Sequence, residues 1–279
     1  MTTLRAAAIQ LTATADRARN LATADRLVRA AAADGARLIV LPEKWSVFGE
    51  TETLRTGAEP LDGPALTWAR QAARELGVDL IAGSIAQAPE NGEPDRRNFN
   101  SCVHIGPDGT DRAVYRKVHL FDVEVGGRSY RESDSDRPGD ALVTTTVEHD
   151  GAAIGIGLSI CYDLRFPDLY ARLAERGARI LVVPAAFTEA TTREHWLTLL
   201  KARAIENQCF VIAPNQIGEH SPGMRSGGRS AIVDPWGVVL ATAADGETHI
   251  TADLDLGRQD EIRARLPSLR GRRPEVYGR

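Results

Sequence analysis

The chain has 279 residues, 43% of them hydrophobic and 26% charged, with a formal net charge of −4. That is ordinary globular usage, which excludes a disordered chain, and its acidic balance argues against a broad nucleic-acid footprint. Three cysteines are too few for a disulfide scaffold. No apolar run approaches the roughly 20 residues of a membrane span. The first residues lack the basic-then-apolar order of a secretory signal, so a soluble, cytoplasmic protein is the simplest expectation.

Leu4–Leu11 is a short apolar run and predicts a buried strand. Asp16–Ala33 follows with apolar residues at helical spacing, and Asp34-Gly35 stops it. Arg37–Leu41 predicts a strand ended by Pro42. Pro64–Leu76 predicts a helix with Pro near its start and Gly77 past its end. Val78–Ile85 reads as one strand. Asn100–Ile105 and Arg112–Arg116 flank the turn Gly106-Pro107-Asp108-Gly109 and predict a hairpin. Ser133–Gly139 is polar and reads as a surface loop between two halves.

The alternation then returns. Ala152–Ile160 predicts a strand, Pro167–Arg176 a helix, Ile180–Val183 a strand, Arg193–Asn207 a helix and Cys209–Pro214 a strand. Arg229–Val233 and Val238–Thr242 flank Asp234-Pro235-Trp236-Gly237 as a second hairpin, and His249–Asp253 closes the series. Strands alternating with helices indicate the α/β class, and the hairpins indicate mixed sheets. The two halves echo each other, which suggests two stacked sheets with helices outside. The tail after Leu266 is polar and is expected to pack on a surface or a partner subunit. Trp196 and Trp236 read as packing residues, and Cys102 and Cys209 as core.

Three strand ends carry chemistry-bearing side chains, and strand ends are where α/β folds build sites. One strand delivers Cys161 just ahead of a predicted helix, a place where the helix dipole favours thiolate. A second runs through Pro42 into Glu43. The predicted hairpin ends at Lys117. Nucleophile, proton carrier and oxyanion stabiliser together are the set that acyl transfer needs. Six histidines leave a Cys–His arrangement open by composition, though none sits at a strand end as Glu43 does. No Cys/His pair has a metal-ligand spacing. A redox-sensing role for Cys161 lacks a nearby resolving cysteine.

Leu41-Pro42-Glu43, Tyr115-Arg116-Lys117-Val118-His119-Leu120 and Cys161-Tyr162-Asp163-Leu164-Arg165-Phe166-Pro167 stand in an order, and at separations of 74 and 44 residues, that resemble the nitrilase superfamily of carbon–nitrogen hydrolases. Arg131-Glu132-Ser133, Pro184-Ala185-Ala186-Phe187, His195-Trp196 and Asp234-Pro235-Trp236-Gly237 extend the resemblance over nearly the whole chain. It implies a single domain with a four-layer α-β-β-α sandwich. It further implies Glu43 as general base and acid, Lys117 as oxyanion stabiliser, Cys161 as nucleophile, and Glu132 as the glutamate that holds the lysine. The Tyr162 N–H would complete the oxyanion hole. Arg165 would anchor the turn after the cysteine or meet a substrate carboxylate, and Phe187 and Thr188 would line the pocket. No metal or organic cofactor is implied. The partners implied are a small-molecule amide, water and further copies of the chain in a homodimer or larger assembly, with no nucleic acid and no membrane.

Within the superfamily the blocks look most like two amidase branches, one cleaving deaminated glutathione and the other α-ketoglutaramate. The segment Asn207–Val211 and the ending Arg272–Gly278 lean to the first. Gly126-Gly127-Arg128 and the loop 219–223 depart from the pattern.

Overall fold

The computed structural model describes residues 3–90 and 92–276, so Tyr277 and Gly278 of the C-terminal block lie outside the described residues. The first half runs β1 (Thr3–Gln10), α1 (Arg17–Ala33), β2 (Leu38–Val40), α2 (Thr51–Thr56), α3 (Pro64–Leu76), β3 (Asp79–Ile81), β4 (Ile85–Gln87), β5 (Phe99–Ile105) and β6 (Asp111–Arg116). A small hairpin follows, β7 (Asp122–Val125) and β8 (Arg128–Arg131). The second half runs β9 (Thr144–His149), β10 (Ala152–Leu158), α4 (Pro167–Glu175), β11 (Ile180–Val182), α5 (Glu189–Thr191), α6 (Leu197–Asn207) and β12 (Phe210–Ala213). A second small hairpin, β13 (Ile217–Ser221) and β14 (Met224–Gly227), precedes β15 (Ala231–Val233), β16 (Val239–Thr242), β17 (Thr248–Asp255) and α7 (Leu256–Arg265).

Helix ends follow local chemistry. The Asp16 carboxylate caps α1 by accepting from the Arg19 N–H at 3.1 Å. Pro64 opens α3, and Gly77 ends it in the left-handed region at φ 62°.

Two mixed sheets form the centre. The first has seven strands in the order β17-β1-β2-β3-β5-β4, with β6 paired to β5. The second has six, β16-β15-β12-β11-β10-β9. Parallel pairs lie inside each sheet, β1–β2–β3 in the first and β10–β11–β12 in the second. The last strand returns to the first: β17 runs antiparallel to β1 in continuous register from Thr3↔Asp255 to Gln10↔Thr248.

The period-two alternation of β1 sorts its side chains between two cores. Leu4, Ala6 and Ala8, with Leu38 and Val40 of β2, join the cluster holding Ile154, Ile156 and Leu158 of β10 and the inward residues of α4 and α6. Ala7, Ile9 and Ile39 join the cluster holding Ala24, Leu27 and Val28 of α1 and Leu66, Ala69 and Ala73 of α3. Both faces of these strands are therefore covered, which is why they read as continuous apolar runs. The layers are helix, sheet, sheet, helix, as expected.

Several local expectations are corrected. Val78–Ile85 is two strands, broken at Gly83, whose φ is +51°. The polar stretch 133–139 is not a surface loop throughout: Ser135 and Asp136 are buried. Trp196 is buried, but Trp236 is 54% exposed and packs no core. Cys102 and Cys209 are core residues, as expected. The described part of the tail lies on this chain's own α4 and α6, where the Arg272 guanidinium donates to Ala171 O at 3.1 Å and Asn207 Oδ1 at 2.8 Å.

Candidate active site

The two sheets bring the three strand ends together. Glu43 sits on a turn after β2 that the break between β3 and β4 cradles. Gly83 approaches Pro42 so closely that an added Cβ would lie 2.0 Å from the Pro42 carbonyl oxygen. Ser84 Oγ accepts from the Lys44 N–H at 3.0 Å, and Gln216 Nε2 donates to the Glu43 carbonyl at 2.9 Å. The strand break is thus what fixes Glu43.

Cys161 opens a five-residue 3-10 turn after β10, with its own φ at +47°. Few non-glycine residues hold that conformation, and here the surroundings impose it. Cys161 N–H donates to Pro184 O at 2.9 Å. Buried Asp163 ties the turn from beneath: its Oδ2 accepts from Tyr115 OH at 2.7 Å and Ile160 N–H at 2.9 Å, and its Oδ1 accepts from His119 N–H at 3.1 Å and contacts His119 Nδ1 at 2.7 Å. Arg203 holds the other side through two bonds to Leu164 O, at 3.0 and 2.7 Å.

Lys117 leaves the end of β6 and points its ammonium between two carboxylates, 3.0 Å from Glu43 Oε1 and 2.8 Å from Glu132 Oε2. Asn100 Nδ2 bridges the same two residues, donating to Glu43 Oε1 at 2.8 Å and Glu132 Oε1 at 3.0 Å. Ala186 N–H donates to Glu43 Oε2 at 2.8 Å, and Phe121 N–H to Glu132 Oε2 at 2.7 Å. All of these side chains are buried or nearly so. Burial alone would lower the Lys117 pKa, but Glu132 and Glu43 outweigh it and hold the ammonium charged well above its ordinary range. Burial would likewise raise Glu132, but Lys117 and Lys44 bring its carboxyl well below its usual value.

The Cys161 thiol behaves otherwise than its place before a helix suggests. Burial and the Glu43 carboxylate push its pKa well above the ordinary thiol value, and Lys117 only partly opposes them. α4 begins six residues later, at Pro167, and Cys161 itself opens the intervening 3-10 turn. These surroundings favour the protonated thiol, with Glu43 beside it.

These residues floor a pocket of about 130 Å³. Tyr162, Phe187 and Thr188 line its wall. Phe187 N–H is fixed by Asn215 Oδ1 at 2.8 Å, and Thr188 Oγ1 meets Thr191 Oγ1 at 2.8 Å. Arg165 does not line the pocket; its guanidinium lies 5.2 Å from the Phe187 ring centre and 3.2 Å from His195 Nδ1. The segments that departed from the expected pattern meet at Glu50, one of the pocket-lining residues. Glu50 accepts from Arg128 of the β7–β8 hairpin and, at 2.9 Å, from Ser221 of the β13–β14 hairpin. Lys44, Asn100, Asp136 and Asp163 were not singled out from sequence. Lys44 adjoins Glu43, Asp163 lies two residues past Cys161, and Asp136 lies four past Glu132, so adjacency to the motifs was the available signal.

A buried thiol, a carboxylate beside it, a lysine aimed at the same point and a pocket of about 130 Å³ over them define a site built for acyl transfer from a small molecule. The chain belongs to the carbon–nitrogen hydrolase family, whose pattern matches residues 5–264. It is 41% identical over 275 residues to the deaminated glutathione amidase of Homo sapiens, covering 98% of this chain and 83% of that one. It is 37% identical over 278 residues to omega-amidase NIT2 of Mus musculus, covering 99% and 98%. Among solved structures it is similar to the C. elegans NitFhit protein, with a TM-score of 0.88 and 33% identity, over 99% of this chain and 66% of that one.

Proposed function

We propose that this chain is a cysteine-dependent amidase that hydrolyses a small, carboxylate-bearing amide to an acid and ammonia, in the manner of deaminated glutathione amidase. The observation that carries the reading is the Lys117 ammonium held between Glu43 and Glu132, at 3.0 and 2.8 Å, beside the Cys161 thiol at the floor of a pocket. Omega-amidase chemistry on α-ketoglutaramate is the second reading, and the 37% identity over nearly both full lengths favours it. A non-catalytic binding relative would have no need of this buried charge cluster.

In the proposed reaction Glu43 takes the Cys161 proton as the sulfur attacks the amide carbonyl. A raised thiol pKa makes that transfer part of the attack rather than a prior step. Lys117 and the Tyr162 N–H stabilise the oxyanion, and Glu132 and Asn100 keep Lys117 and Glu43 in place. Glu43 returns the proton to the nitrogen, ammonia leaves and a thioester remains. Water, deprotonated by Glu43, then attacks the thioester, releasing the acid and restoring the thiol. Phe187 and Thr188 shape the acyl side of the pocket, and Arg165 steadies the wall through Phe187.

The whole chain serves as one domain, supported by the core cluster shared between the two sheets. It assembles as a homodimer or larger, with the exposed apolar residues of α6 and the β15–β16 turn covered by a second copy. A cytoplasmic setting is supported by three free cysteines; no helix among the described residues is long and apolar enough to cross a membrane.

The test is ammonia release from deaminated glutathione, α-ketoglutaramate and succinamate by the wild type and by Cys161→Ala. The expected result is a loss of at least about 10³-fold in kcat for the variant, with the circular dichroism spectrum and melting temperature retained. The ratio of kcat/KM values ranks the substrates. Turnover retained by the variant would overturn the mechanism.

A further inference from the structure

We propose that Lys44 and Asp136 form a positioning pair that sets the charge balance of the site and thereby the protonation of Cys161. The inference rests on the catalytic roles proposed above for Glu43, Lys117 and Cys161, and it concerns two residues that touch no reacting atom.

Lys44 directly follows Glu43 and is held at φ +47°. That backbone turns its side chain inward, and it is 3% exposed. Its ammonium lies 2.9 Å from Asp136 Oδ2 and 3.8 Å from Glu132 Oε1. Asp136 is fully buried; Oδ2 also accepts from Ser135 Oγ, while Oδ1 has no hydrogen-bond partner among the described residues. Lys44 is therefore the cation in direct contact with it. Asp136 is also tied to Glu132, because its N–H donates to the Glu132 carbonyl at 2.8 Å. The pair thus links the residue after the proton carrier to the turn that carries Glu132.

The cluster holds three carboxylates, Glu43, Glu132 and Asp136, and two ammonium groups, Lys44 and Lys117. With Cys161 as the thiol its formal charge is −1. The sulfur is faced by Glu43 and Lys117, with Tyr170 behind the turn. Removing the Lys44 charge leaves −2, which disfavours any further anion at the sulfur and draws Lys117 more strongly to the carboxylates. Removing the Asp136 charge leaves zero and has the opposite sign. Removing both restores −1. A lysine that gripped a substrate carboxylate would have a free ammonium, whereas this one is engaged by Asp136.

The experiment is the pH–rate profile for alkylation of Cys161 by iodoacetamide, followed by mass spectrometry, in the wild type, Lys44→Met, Lys44→Arg, Asp136→Asn and the Lys44→Met/Asp136→Asn double variant. Melting temperatures are recorded alongside. Lys44→Met is expected to slow alkylation roughly tenfold near pH 7, moving the profile up by about one pH unit. Asp136→Asn moves it down, and Lys44→Arg and the double variant return toward wild type. The profile of kcat/KM for amide hydrolysis follows the same order. Unshifted profiles in both single variants, or a double variant no closer to wild type than Lys44→Met, would overturn the pairing role. Alkylation needs no amide substrate, so a wild type silent on every amide would remove the proposed function and still leave this result readable.

Discussion

Cys161 and Lys44 share the left-handed backbone region, each at φ +47°, and each such residue costs on the order of 1 kcal/mol. Both sit within the site, where Asp163, Ser84 and Pro184 fix the surrounding backbone. A third polar residue at the margin of the site shows how burial sets pH behaviour. His220 is 6% exposed, with Nδ1 2.8 Å from Ala13 O and Nε2 2.9 Å from Ser226 Oγ. Burial lowers its pKa from 6.5 to about 4, and the Ala13 carbonyl only partly offsets this. The unfolded chain therefore binds the extra proton first. The contribution of neutral His220 is fully present above pH 6.5 and is lost as the pH falls through 4. Over that window it amounts to about 3 kcal/mol. Urea midpoints at pH 7.0 and about 4.5 are expected to differ less in His220→Gln than in wild type; an equal difference would assign the acid sensitivity to other groups.

At the scale of elements, β10 carries the burden of placing Cys161, and its glycines are there for contact. An added Cβ at Gly155 would lie 2.3 Å from the Gly177 carbonyl oxygen, and one at Gly157 would lie 3.0 Å from Leu173 and Leu181 side-chain atoms. The turn after α4 thus meets the strand at backbone distance, while α4 itself packs on it through Leu173. Gly155→Ala is expected to lower stability by about 1–3 kcal/mol and to reduce kcat as β10 shifts, with Gly157→Ala milder because side chains can give way. Differential scanning calorimetry with a parallel activity assay reads both; an unaltered melting temperature in Gly155→Ala would refute the close approach. The apolar strands and capped helices were legible from sequence because both faces of the strands are covered and the caps are local. The small hairpins at 122–131 and 217–227 were not, since their short, half-polar strands pair outside either main sheet. Glu43, Lys117 and Cys161 were legible as strand ends. The burial of Asp136 was not, because its partner Lys44 lies 92 residues away and a polar stretch alone predicts solvent.

At the scale of the molecule, α6 and the β15–β16 turn leave large apolar side chains exposed. Leu197 and Ile205 of α6, Trp236 and Val238 of the turn and Leu240 of β16 are 39–54% exposed. The turn lies on α6, since an added Cβ at Gly237 would be 2.6 Å from Ile205 Cδ1, which places Ile205 beside the exposed residues of the turn. Ile205→Glu is expected to shift the sedimentation coefficient from that of a multimer to that of a 30.2 kDa monomer. A wild type that sediments as a monomer would dispose of the assembly proposal. The four layers were legible from the repeated strand–helix order, but this exposure was not, because Trp236 reads as core until the turn is placed.

The pairing of β17 with β1 also governs how the chain is made. β1 leaves the ribosome well before β17, yet one of its two edges is reserved for residues 248–255. Until those emerge, an apolar strand has a bare row of amides and carbonyls, the arrangement most prone to capture by another nascent chain. The first sheet is therefore finished only once β17 has been made, and β1 waits for its neighbour through the synthesis of every strand and helix that lies between them.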